Sequence, residues 1–132
     1  MVVTGRFEVQ EIREYVVDST IGSVTANVLT ADFTQGNIYW INTAPSANFT
    51  VNLTNVPTDN LYSMSITVVV NQGAAGYIPN AFQIAGVGQT LRWTTGTAPT
   101  PTSTASKLDV FSFTLIRRAS AWIVIGSSVL NF

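Results

Sequence analysis

The chain has 132 residues with neither cysteine nor histidine, and a net charge of −1 from six basic and seven acidic side chains. This excludes a disulfide framework, a thiolate metal site, and the commonest general base and zinc ligand. No basic footprint suggests nucleic acid, and no apolar run approaches the roughly 20 residues needed to span a bilayer.

Charge is scarce. Asp, Glu, Lys and Arg make up 10% of the chain, against about 25% in ordinary soluble domains. Interface cores are depleted in charge, so the deficit points to a subunit of an obligate oligomer. The competing reading is a monomer coated with Thr, Ser and Asn. The start, Met1-Val-Val-Thr-Gly-Arg6, lacks the basic-then-apolar layout of a signal peptide, and the chain reads as a complete cytosolic product.

The N-terminal segment, residues 1–20, holds Arg6, Glu8, Glu11, Arg13, Glu14 and Asp18. Val9, Ile12 and Val16 are spaced for one helical face. As a strand, Phe7, Val9, Tyr15 and Val17 share a face, and the alternating charges would protect an edge. Both readings of residues 7–17 stand. The segment breaks the pattern of the rest and is read as an arm, with residues 21–132 as the body.

From Val24 the rhythm is regular. Val24 to Thr30 reads as a strand, Asp32 to Asn37 as a turn, and Ile38-Tyr-Trp-Ile41 as a compact strand closed by Asn42 to Pro45. Phe49, Val51 and Leu53 alternate with Thr50, Asn52 and Thr54, the period-two mark of a strand with one face in a core. After the turn at Val56–Asn60, Met64, Ile66, Val68 and Val70 alternate again. Ala81 to Ile84 and Gln89 to Trp93 are short segments around Gly86-Val-Gly88. A Thr/Pro-rich loop from Thr94 to Ser106 precedes a strand in which Phe111, Phe113 and Leu115 share one face. Arg118 to Ala121 suits a tight turn, and Ala121 to Gly126 completes a hairpin. Short strands at roughly ten-residue spacing predict a single all-β domain, an antiparallel β-sandwich of jelly-roll type.

The residues assemble no catalytic set. The carboxylates Asp32 and Asp59 fall in turns, where Asp bonds the backbone, and Asp109 lies near Lys107, where an ion pair is the plain account. The chain reads as non-enzymatic, with no cofactor and no metal; Asp59-Asn60 is the best calcium candidate, without the spacing of a calcium loop. Asn48-Phe-Thr50 and Asn52-Leu-Thr54 match the glycosylation pattern, as a Thr-rich strand does by composition alone. Sugar sites use exposed aromatics. Tyr77 and Trp93, beside loops, are the candidates for partner or glycan contact. Phe111, Phe113, Leu115 and Trp122 are expected in the core or a subunit interface.

One succession of residues has a further meaning. Trp93, Gly96-Thr-Ala-Pro99, Lys107-Leu-Asp-Val-Phe-Ser-Phe113, Trp122 and Asn131-Phe132 resemble the C-terminal region of small structural proteins of tailed phages, especially those infecting marine cyanobacteria. Thr30-Ala-Asp-Phe-Thr-Gln-Gly-Asn37 and Asn48-Phe-Thr-Val-Asn-Leu53 are similar to the same proteins. The resemblance implies a virion protein made in the host cytoplasm, most simply a homotrimeric capsid decoration module. Its partners would be itself and the major capsid or tail proteins, with residues 1–20 as attachment arm. The alternative it leaves open is a tail-associated fibre or a receptor- or glycan-binding module.

Overall fold

A computed structural model describes residues 13–18 and 27–132. They form ten strands and no helix: β1 (Val16–Val17), β2 (Val28–Asp32), β3 (Ile38–Ile41), β4 (Phe49–Thr54), β5 (Tyr62–Asn71), β6 (Pro79–Ile84), β7 (Val87–Gln89), β8 (Leu91–Trp93), β9 (Leu108–Arg118) and β10 (Ala121–Val129). One sheet has the order β1-β3-β5-β9-β10-β8, the other β2-β4-β6-β7.

The inner faces of the two sheets share one core. Leu29, Ala31, Phe49, Val51, Leu53, Phe82 and Ile84 come from the four-stranded sheet, and Tyr39, Ile41, Ile66, Val68, Val70, Phe111, Phe113, Leu115 and Val124 from the other. These positions recur at every second residue along each strand, so the period of two decides which face is buried. Phe82 and Phe113 meet across the interior with ring centroids 5.1 Å apart, within the range of favourable aromatic pairs.

Strand direction departs from the antiparallel, jelly-roll expectation. Antiparallel pairing joins β5 to β9, β9 to β10 and β6 to β7. The pairs β1–β3, β3–β5, β2–β4, β4–β6 and β8–β10 are parallel. The reason is the winding: from β1 to β6 successive strands alternate between the sheets. Each strand therefore returns beside the one two before it, running the same way. Phe33–Asn37, Asn42–Asn48 and Asn55–Leu61, which read as turns in the sequence, are corners between sheets.

The two tight hairpins are local. Ala119 and Ser120 have φ of 49° and 60°, and Ala85 and Gly86 have 50° and 78°. Two consecutive positive φ values match the right-handed twist of flanking strands.

Candidate functional site

Of the arm residues, Arg6, Glu8 and Glu11 lie outside the described residues, while Arg13 and Glu14 are exposed. The segment that follows adds to the edge of the six-stranded sheet, with Val16 beside Ile38 and Val17 beside Tyr39. For the described part of residues 7–17 this is extended chain ending in a short strand. The Ile38 N–H donates to the Tyr15 carbonyl at 3.4 Å. Val17 is buried in the core, whereas Tyr15 is 76% exposed and Val16 55%. Gly36 permits the approach: a Cβ there would lie 2.6 Å from the Tyr15 carbonyl oxygen. The Asn42 amide donates to Asp18 at 2.9 Å, and the Trp40 indole N–H donates to the Asn42 side-chain oxygen. Val16, Asp18, Trp40 and Asn42 line a shallow depression.

Trp40 belongs to a larger surface, the outer face of the six-stranded sheet. Register places Trp40, Val69, Val110 and Val129 in one row across β3, β5, β9 and β10. Ile38, Thr67, Ser112 and Ser127 form the next row, and Ile116 and Ile123 pair further along. On these four strands the outward positions are aliphatic, Ser, Thr, Trp, Ala or Asn, with Arg118 at the β9–β10 turn as the sole charge. Three strands about 30 Å long and the shorter β3, about 4.8 Å apart, make a face of roughly 500 Å².

The loops at one end of the sheets are stapled to a buried carboxylate. Asp109 is fully buried and accepts from Thr102 N–H (2.8 Å), the Thr102 hydroxyl (2.6 Å), the Gln72 amide (2.9 Å) and Asn131 N–H (3.0 Å). Its partners are uncharged donors, in place of the expected ion pair with Lys107. Burial pushes its carboxyl up, but these donors outweigh it and hold the group below the ordinary carboxylate value. Gln72 also brackets Tyr77, donating to its carbonyl and accepting from its N–H. Gly76 touches the other loop so closely that a Cβ would fall 2.3 Å from the Thr102 carbonyl oxygen.

The remaining candidates have structural engagements. Trp93 is half-buried, 6.4 Å from Phe111 and 6.0 Å from Phe113, and its ring lies on the backbone of Gly126. Tyr77 is half-buried beside the rim loops. Phe111, Phe113 and Leu115 are fully buried and Trp122 packs against the core. Asp32 accepts from the hydroxyl and N–H of Thr34 and from Asn55, which keeps its carboxyl below the ordinary range. Asn60 accepts from Ser120 N–H at 2.8 Å. The asparagines of the two glycosylation patterns accept from the backbone of Ile78 and of Gly86. Among the described residues, no three acidic side chains converge on a point.

Sequence reasoning missed the Asp109–Gln72 node and the uncharged sheet face. The second was readable from the odd positions of β5 and β10, which carry Ser, Thr, Val, Ile, Ala and Asn and no charge. Comparison with protein-family models, curated proteins and solved structures gives no match to this chain.

Proposed function

We propose that the protein is a non-enzymatic structural component of a tailed-phage virion that works as a homo-oligomer, a trimer being the simplest assembly. The observation that carries this reading is the uncharged outer face of the six-stranded sheet. A second copy of the same face is the partner it suits, because it brings no charge to be desolvated. Its area of roughly 500 Å² lies just below what each partner contributes to a standard interface. The segment Arg13–Asp18, exposed apart from Val17 and tied to the body along one strand edge, suits an attachment arm.

Light scattering on purified protein tests assembly. The expected mass is three times the 14.2 kDa chain; a monomer at high concentration would refute it. Immunogold labelling of intact virions tests position: label over the head supports decoration, and label confined to the tail supports adsorption. The second reading, a glycan-binding tail module, draws on the rigid rim around Tyr77. A glycan array blank at high protein concentration would sink it.

A further inference from the structure

The tip of the β9–β10 hairpin carries an arrangement that self-assembly leaves unused. Arg117 faces inward, its backbone in register with Tyr62 on β5 and Trp122 on β10, so aromatic residues flank it on both neighbouring strands. Its Cζ sits 5.0 Å from the Trp122 ring centroid, a cation–π distance. The Arg117 Nε is buried without a hydrogen-bond partner. Among the described residues no acceptor pairs with the guanidinium, and Asp59, exposed in the preceding loop, forms no ion pair with it.

The other sheet leaves this end open: Tyr62 is 64% exposed despite its inward position, and Leu61 is 83% exposed. Leu61 has a φ of 64°, which a bulky residue rarely adopts. It is fixed there by its N–H, which donates to the Arg117 carbonyl at 2.8 Å, and by the clamp from Ser120 N–H to the Asn60 side chain. The Arg117–Trp122 pair and the backbone that presents Leu61 are thus set before any ligand arrives, which lowers the cost of binding.

We propose that this tip is a docking site for an acidic segment of a partner protein. A partner Asp or Glu carboxylate would take the open guanidinium nitrogens of Arg117, with an adjacent apolar side chain against Leu61 and Tyr62. The planar fork of arginine matches a carboxylate. Trp, Tyr and Arg are the residue types that dominate protein interfaces, and an exposed leucine offers nothing to sugar hydroxyls. The guanidinium of Arg117 has no acidic partner of its own among the described residues, so charge complementarity favours an acidic partner. The site stands independently of the assembly reading.

The test is fluorescence anisotropy on the full-length protein with a labelled Gly/Ser peptide carrying two Glu-Leu pairs, and a labelled oligogalacturonate in parallel. The peptide should bind saturably and weaken with salt. Arg117→Gln should lose about tenfold or more, the scale of a charge-assisted hydrogen bond. Arg117→Lys should also weaken binding, and Arg118→Gln, on the opposite face, should change it little. Leu61→Ser reads the same site through a side chain that the fold does not bury, should Arg117→Gln fail to fold. No peptide binding at millimolar concentration, or equal binding by folded Arg117→Gln and wild type, would overturn the proposal. So would an Arg117-dependent response to oligogalacturonate alone, which would make the ligand a uronate glycan.

Discussion

The Gln72 side-chain amide donates to the Asp109 carboxylate across 2.9 Å, although the two residues lie 37 positions apart. Through this pair the end of β5, the start of β9, the loop at Thr102 and the chain beyond β10 share one acceptor. Asp109→Ala leaves several buried donors unpaired and should destabilise by roughly 2–4 kcal/mol. Asp109→Asn keeps one acceptor oxygen and should cost less. Urea denaturation monitored by tryptophan fluorescence checks both.

The two limbs of the stability–pH curve follow from two residues. The folded-state pKa of Asp109 is depressed below 3.8, so its contribution is fully present above the unfolded value and lost as pH falls through the folded one. Tyr39 is the converse case. Burial and the nearby Asp32 charge push its phenol from 10.0 up to about 12. Its contribution is whole below pH 10.0 and disappears as pH rises through about 12. Unfolding midpoints should decline on both sides, with Asp109→Asn flattening the acid limb and Tyr39→Phe the alkaline one.

Gly36→Ala tests the seat of the N-terminal segment. The added Cβ meets backbone, not a flexible side chain, so β1 should leave the edge of β3. Limited proteolysis should then cut within Arg13–Asp18, while the body is destabilised by about 1.5–3 kcal/mol, the scale of withdrawing the Val17 side chain from the core. Unaltered protection of that stretch would refute the arrangement.

Val110→Lys places a charge in a row of the uncharged sheet face that spans all four strands. The oligomer should dissociate, since an unpaired charge in a desolvated interface is costly, while circular dichroism remains that of the wild type. A variant that keeps the wild-type mass by light scattering would move the interface elsewhere.

Phe113 packs on Phe82 and Trp93 and is fully buried. Phe113→Ala should cost roughly 3–5 kcal/mol, measured by thermal or chemical denaturation.

Strand positions were readable where side chains alternate. Ile38–Ile41 and Phe49–Thr54 match β3 and β4, because burial of one face imposes a period of two. Pairing direction was not readable. The turn residues at Asn42–Pro45 and Val56–Asn60 serve equally for reversal within a sheet and for a corner between sheets. The stretch Gln89–Trp93 read as one segment is two short strands in different sheets, split at Thr90. Asp109 was assigned to its sequence neighbour Lys107, while its actual partners include Gln72 and Asn131, 37 and 22 residues away. Trp93 looked peripheral because its loop is polar; Gly126, which gives its ring a floor, comes much later in the chain.

The winding of β1 to β6 sets the order of assembly during folding. No strand of that series can find its partner until an intervening strand has crossed to the opposite layer, so each pairing closes a long loop. The β9–β10 and β6–β7 hairpins need only a two-residue turn, and β9–β10 is the longer of them. It is therefore the natural nucleus, and β5 must travel to it before the parallel coils can stack outward. Such high contact order belongs with folding in milliseconds to seconds. During that interval a sheet face without charge stands uncovered, and crowded nascent chains would meet through it before they are complete.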